Sequence, residues 1–272
     1  MRTKPFGPTG VEVSVIGQGT WPTPDRDALR RGIDLGMTHI DTAEMYGDGR
    51  SEEIVGEAIE AYPRERLFVV SKVLPSNGSR KGVAAACERS LRRLRTDYLD
   101  CYLLHWRGSN DLAETMEALE ALVEAGKIRS LGVSNLDPWD LREAAAALRK
   151  APIACDQVLY NLQERTPEAH ELPWCRENGA AFVAYTPLAR LPAAQGEATL
   201  IDIARRYVAT PEAIALAFLV RDRCSFAIPK ANTIAHVEAN ARAVEIELTP
   251  DECEAIDRAY PVADRKGALP TN

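Results

Sequence analysis

The sequence predicts one (β/α)8 barrel spanning residues 1–272. Three observations predict it. Short apolar runs recur at a steady interval, amphipathic stretches fill the gaps, and no linker or low-complexity segment divides the chain. The runs are SVIGQG from Ser14, THID from Thr38, LFVVSK from Leu67 and YLDCYLLH from Tyr98. IRSLGVSN from Ile128, IACDQV from Ile153, AAFVAY from Ala180 and CSFAIPK from Cys224 complete the set. Their start-to-start spacings are 24, 29, 31, 30, 25, 27 and 44 residues. The runs are too short for helices and mostly lack polar alternation, which suits strands buried on both faces of a parallel sheet.

The intervals carry helix signals. SRKGVAAACERSLRRL sets Val83, Cys87, Leu91 and Leu94 on one face. TPEAIALAFLV opens with Thr210 as N-cap and Pro211 at the first helical position. TPDECEAIDRAY offers a capping box, Thr249 with Glu252. Strand then helix, repeated eight times, is the barrel pattern. The stub KPFGPTGVEVS reads as a β-hairpin capping the barrel bottom, and the long last interval requires an extra loop and helix. A doubly wound dinucleotide fold is disfavoured. It would place GxGxxG between the first strand and helix, and IGQGTWPTP leads into a Trp-Pro turn instead.

A net charge of -7 with no long basic run excludes a nucleic-acid groove. No stretch of about eighteen apolar residues offers a membrane span, and MRTKPFGPTG lacks the apolar core of a signal peptide. The six cysteines include no CxxC, and no histidine stands at metal-ligand spacing. We expect reduced, buried thiols, no metal, a cytoplasmic location and a monomer.

The residues that end the runs are Asp41, Lys72, His105, Ser134 with Asn135, Gln157, Tyr185 and Lys230. In a barrel these ends meet on one rim, where active sites of the fold lie. One polar exit is an ordinary strand cap; a polar or aromatic residue at seven successive exits is not. Tyr46 follows Asp41 on a loop containing Gly47 and Gly49. A phenol with a pKa near 10 is a poor acid at neutral pH, and an adjacent lysine would lower that pKa. Lys72 with Asp41 as counter-ion, and His105 to orient an oxygen, would let Tyr46 protonate a carbonyl. Taken singly, Asp41 with Lys72 could be a structural ion pair, His105 a core histidine and Tyr185 a core aromatic. The charged stretch ERSLRRLR reads as a solvated helix face, and His39 and His170 receive no role.

The pieces GQGTW, DTAEMYG, VSK, LLHW, LGVSN, DQVLYN, AYTPLA and IPK resemble the aldo-keto reductase superfamily in order and spacing. EMYGDG, LLHWRG, LPWCRE and IPKA are similar to a bacterial branch with methylglyoxal-reductase-like members. The resemblance implies NAD(P)H-dependent reduction of small aldehydes or ketones. Asp41, Tyr46, Lys72 and His105 would be its tetrad, with Tyr46 the general acid. By the same resemblance Ser134, Asn135 and Gln157 would hold the nicotinamide carboxamide. Tyr185 would stack on its ring, Thr20 and Trp21 would border it, Gly19 and Asp41 would also contact the cofactor, and Thr186, Pro187 and Leu188 would follow the pyrophosphate. Trp21 and Trp106 would wall the substrate beside Tyr46 and His105.

Lys230, Ala231, Asn232, His236 and Asn240 would hold the far phosphate. Here the chain departs from the family: Ala231 replaces a serine, His236 an arginine and Ala239 a glutamate. The implied cofactor is therefore NADPH by a modest margin, with NADH possible. The chain ends soon after YPVADRKGALPTN, which implies an open pocket. The competing function is a non-catalytic NAD(P)H-binding regulatory or interaction module on the same fold. Schiff-base chemistry at Lys72 is a third reading.

Overall fold

The structure, a computed structural model, describes residues 1–188, 196–265 and 267–271. Eight parallel strands follow one another in sequence order. They are β3 (Gln18–Gly19), β4 (His39–Asp41), β5 (Phe68–Val73), β6 (Leu99–Leu104), β7 (Ile128–Ser134), β8 (Ile153–Leu159), β9 (Ala181–Tyr185) and β10 (Ser225–Ala227). The ring closes where Ile16 bridges Ala227 in parallel, with Gly17 N–H donating to the Ala227 carbonyl at 2.8 Å. Strands β5 and β6 are buried at every position, as their continuous apolar runs require. Gly19 permits the closure near the rim: a Cβ there would stand 2.6 Å from the Ile228 carbonyl oxygen.

Helices α1 (Arg26–Asp34), α2 (Arg50–Ile59), α3 (Arg80–Leu94), α4 (Leu112–Glu124), α5 (Pro138–Ala146) and α6 (Glu171–Asn178) alternate with the strands. Both α7 (Glu197–Tyr207) and α8 (Pro211–Leu219) lie between β9 and β10. This is the extra helix expected there; the loop leading into it includes residues 189–195, outside the described residues. Helices α9 (Ile234–Arg242) and α10 (Pro250–Ala259) end the fold. The local signals hold: Thr210 caps α8, Thr249 and Glu252 form a capping box on α10, and Val83, Cys87, Leu91 and Leu94 are buried. No described helix is long and apolar enough to cross a membrane, and no described cluster of His, Cys, Asp and Glu could hold a metal ion.

The expected hairpin is present as β1 (Thr3–Pro5) paired antiparallel with β2 (Glu12–Ser14). Phe6 of its turn is fully buried, with ring centroids 4.6 Å from Phe68, 5.1 Å from Phe226 and 5.5 Å from His39. These residues stand at or near the starts of β4, β5 and β10, so the hairpin plugs the end opposite the rim. Lys4 Nζ ties it down by donating to the carbonyls of Val220 at 2.7 Å and Ser225 at 3.2 Å.

His39 therefore sits in an aromatic box, and neither ring nitrogen has a partner among the described residues. Burial, aided by the Lys72 charge, pulls its pKa down to about 3. Its unfolded value lies near 6.5, so between those values the unfolded chain binds the extra proton. The stability involved is whole above that unfolded value and is lost as pH falls toward the folded one. His39→Phe should keep the packing and flatten the acid loss by up to about 1.4 kcal/mol per pH unit. Urea unfolding between about pH 7 and 4.5 checks this; equal slopes in both proteins would show that His39 does not set the acid limit.

Candidate active site

The rim at the C-terminal strand ends gathers the polar exits of the sequence around one buried ion pair. Asp41 ends β4, and Lys72 lies in β5; the two are 1 % and 0 % exposed. Lys72 Nζ donates to Asp41 Oδ1 at 2.5 Å, to the Thr42 carbonyl at 2.9 Å and to Tyr46 Oη at 3.2 Å. Gln157 Nε2 donates to the other carboxylate oxygen, Asp41 Oδ2, at 2.8 Å. Each oxygen of the carboxylate thus has its own donor, as a buried charge requires.

Burial works against the charge on Lys72, but Asp41 and the bonds to Asp41 and Tyr46 outweigh it and hold the pKa above its ordinary value. The amine is an ammonium ion and no nucleophile, which removes the Schiff-base reading. Burial pushes Asp41 up as well, with the Lys72 charge and the two hydrogen bonds opposing.

Tyr46 is carried on a turn that only a glycine-rich stretch can make. Gly47, Asp48 and Gly49 have φ of 57°, 53° and 90°. A side chain at Gly49 would also collide with the Arg93 guanidinium, 2.4 Å from its Cβ. The lysine was expected to lower the phenol pKa. It pulls in that direction, but burial, with Asp41 adding to it, outweighs the lysine and the pKa is raised. Tyr46 is therefore a protonated phenol at neutral pH.

His105 follows β6 and packs in a T-shaped arrangement with Tyr46, centroids 5.7 Å apart, while Trp106 stands 4.7 Å away. Burial and the Lys72 charge drop its pKa to about 2, so the imidazole is neutral. Its Nδ1 is buried without a partner among the described residues, which leaves Nε2 as the nitrogen facing the site.

Ser134 ends β7, and its Oγ donates to the Gln157 carbonyl at 2.8 Å. Asn135, left-handed at φ 57°, donates to the His105 carbonyl at 3.2 Å and accepts from Tyr185 Oη at 2.8 Å. Thr20 Oγ1 donates to the Asp41 carbonyl at 2.8 Å, next to Gly19. Pro187 is buried beyond β9, with Thr186 and Leu188 half-buried beside it. Trp21 is 57 % exposed on the loop after β3. Lys230, Asn232 and His236 are exposed, Ala231 is half-buried and Asn240 is buried; this patch gathers around the start of α9. Thr233 caps that helix, its first turn has no acidic residue, and Lys230 has no ion pair among the described residues.

Several supports of the Tyr46 loop were not read from the sequence. Ser51 Oγ donates to Thr20 Oγ1 at 2.8 Å and lies 3.1 Å from Thr42 Oγ1, a buried hydroxyl cluster behind the ion pair. Glu44 accepts from Leu74 N–H and Asn77, both at 2.8 Å, and from Arg89 at 3.1 Å. Glu52 accepts from Ser71 at 2.6 Å and Arg93 at 3.0 Å. The stretch ERSLRRLR is thus only partly a solvated face: Arg89 and Arg93 reach buried carboxylates. Tyr46 was singled out from the sequence; Glu44, Glu52 and their long-range partners were not.

A closed parallel barrel with this rim defines a (β/α)8 enzyme, and within that class the chain belongs to the aldo/keto reductase family, whose profile matches residues 16–261. It is 44% identical over 271 residues to the methylglyoxal reductase YeaE of Escherichia coli K12, covering 95% of each chain. The methylglyoxal reductase DkgB of Escherichia coli O157:H7 is 31% identical over 254 residues, covering 90% of this chain and 92% of that one. A crystal structure of an aldo/keto reductase from Klebsiella pneumoniae in complex with NADP and acetate superposes with a TM-score of 0.92 at 44% identity. That match covers 100% of this chain and 99% of the other.

Lys72→Met should strand the Asp41 carboxylate and cost roughly 3–5 kcal/mol of stability. Adding Asp41→Asn should recover much of that loss without restoring activity, because the pair couples strongly. Denaturant melts of the two single variants and the double variant test this. Simple additivity would show that the ion pair is not the unit holding the rim together.

Proposed function

We propose that this enzyme is an NADPH-preferring reductase of small aldehydes and ketones, methylglyoxal among them, with Tyr46 as proton donor. The observation that carries the reading is the shared Lys72 ammonium, 2.5 Å from Asp41 and 3.2 Å from Tyr46 Oη, beside a neutral His105. The methylglyoxal reductases among its relatives and the NADP bound to the Klebsiella pneumoniae protein support it.

The donor set suits a nicotinamide cofactor. Hydroxyl and amide groups of Ser134, Asn135 and Gln157 match a carboxamide, which both donates and accepts. The start of α9, with its capped N–H groups, no acid in the first turn and Lys230 beside it, suits a phosphate. When bound, NADPH supplies the hydride that adds to the carbonyl carbon.

The protein's part is the proton. Tyr46 O–H gives its proton to the carbonyl oxygen, and the electron pair of that O–H bond stays on the phenolate. Lys72 is in place to stabilise the phenolate the moment it forms, and water later returns the proton. His105, with Nδ1 sealed in the protein, offers Nε2–H to the same oxygen and fixes where the carbonyl lies. The burial of Lys72, Asp41 and His105 strengthens each of these interactions.

Tyr46→Phe keeps the ring and removes the proton. Turnover of methylglyoxal or nitrobenzaldehyde, followed by the loss of absorbance near roughly 340 nm, should fall about 10²–10⁴-fold with little change in cofactor affinity. Near-normal turnover would remove Tyr46 as the donor. A wild-type protein that binds NADPH and reduces none of a broad carbonyl panel would be the regulatory module instead.

The 2′-phosphate of NADPH needs cations, and Ala231 has no side-chain donor to offer. Lys230 carries most of the remaining discrimination, with His236 at the third position of α9 beside it. Lys230→Ala should weaken NADPH binding more than NADH, and His236→Ala should do so to a smaller degree. Fluorescence titration of both cofactors reads the ratio. Equal losses for the two cofactors would move the phosphate away from Lys230.

A further inference from the structure

The side-chain amide of Gln157 makes a bond that a cofactor seat does not require. Gln157 lies in β8 and Asp41 in β4, four places apart in either direction around the eight-stranded ring. The 2.8 Å bond from Nε2 to Asp41 Oδ2 therefore crosses the barrel interior rather than running along its wall. Both side chains are buried, at 2 % and 1 % exposed. The donor orientation is dictated by charge: a flipped amide would set its oxygen against a carboxylate. No other described side chain donates to Oδ2.

We propose that Gln157 is a positioning residue that holds Asp41 from across the barrel, so that Lys72 stays shared between Asp41 and Tyr46. With Oδ2 occupied, the carboxylate offers Lys72 only Oδ1, and Nζ keeps its 3.2 Å contact with the phenol. With Oδ2 released, both oxygens of a dry carboxylate turn toward the one remaining cation and draw it off Tyr46. The amide has one further N–H and its oxygen Oε1, which has no bond to a described residue. Resting on the cofactor reading above, those atoms meet the carboxamide, and one side chain then joins the nicotinamide seat to the proton donor.

The charged and titratable groups facing Asp41 come from several elements: Lys72 from β5, Tyr46 from the loop after β4, and His105 beyond β6. His39, deeper in β4, also feels the Lys72 charge. None of them donates to Oδ2, so removing the Gln157 donor acts on Asp41 first. A hydrogen bond to the ionised form lowers a carboxyl pKa, and its loss raises it.

Gln157→Met keeps the length and deletes the donor. Carbon NMR of aspartate carboxyls in the cofactor-free protein, with the Asp41 signal identified by Asp41→Asn, reads the effect without any assay of turnover. The Asp41 titration should move up by about one pH unit in Gln157→Met. The acid limb of the turnover profile should move with it. Gln157→Glu can donate only while it holds a proton, so its turnover should approach wild type near pH 5 and fall away as pH rises. If Gln157→Met does not fold, that pH-dependent loss in Gln157→Glu carries the test. An unchanged Asp41 titration, with only cofactor binding weakened, overturns the proposal and leaves Gln157 a cofactor contact. An NMR shift in a protein that reduces no carbonyl would instead uphold the positioning role and sink the reductase reading.

Discussion

A lysine ammonium with no exposed surface is the constraint on which the rim depends. Moving such a charge from water into the protein interior costs several kcal/mol even after relaxation. Lys72 is tolerable only because every direction around Nζ is answered: Asp41 Oδ1, the Thr42 carbonyl and the Tyr46 hydroxyl. Asp41 in turn needs Gln157 on its second oxygen and Thr20 on its backbone carbonyl. Ser51 then satisfies Thr20. The chain of requirements runs from one buried cation through three strands, two loops and the start of α2, and each residue in it is fixed by the one before.

The barrel divides its labour along its axis. The bottom is sealed by Phe6 and an aromatic box, a largely apolar closure in which even a histidine is held neutral. Rigidity at the top comes from elsewhere. The Tyr46 turn holds left-handed backbone at three consecutive residues, a conformation that needs external support. Glu44 and Glu52 flank that turn and are anchored by Arg89 and Arg93 of α3, by Ser71 of β5 and by Leu74 and Asn77 just after it. The loop carrying the phenol is thus clamped to its neighbour helix rather than free above the rim.

Much of this was legible because strand exits are written in the chain. Asp41, Lys72, His105, Ser134 and Gln157 each follow or end a buried apolar run, and parallel topology alone brings such exits together. Caps at Thr210 and Thr249 were legible for the same reason: their partners lie within one helical turn. What could not be read were bonds between distant residues with no local signature. Ser51 looks like any polar residue in a first helical turn, and Gln157 gives no hint that it reaches 116 positions back to Asp41. The sign of the Tyr46 shift was misjudged because sequence shows the neighbouring charge and not the depth of burial, and burial is the larger effect.

That reversed sign suits the proposed role of Tyr46 as proton donor better than the expected one. An acid whose pKa were lowered toward neutrality would spend part of its time as phenolate, unable to donate. Tyr46 instead waits as the neutral phenol, because in the ground state burial disfavours the anion more than Lys72 favours it. In the proposed proton transfer the lysine's contribution grows only as negative charge develops on the oxygen, at a contact of 3.2 Å from a fully buried ammonium. An interaction that strengthens toward the transition state lowers the barrier, whereas one already complete in the ground state does not. If Tyr46 is the proton donor, as proposed, the cation is placed to act on the transfer itself, and its partner Asp41 keeps it charged between turnovers.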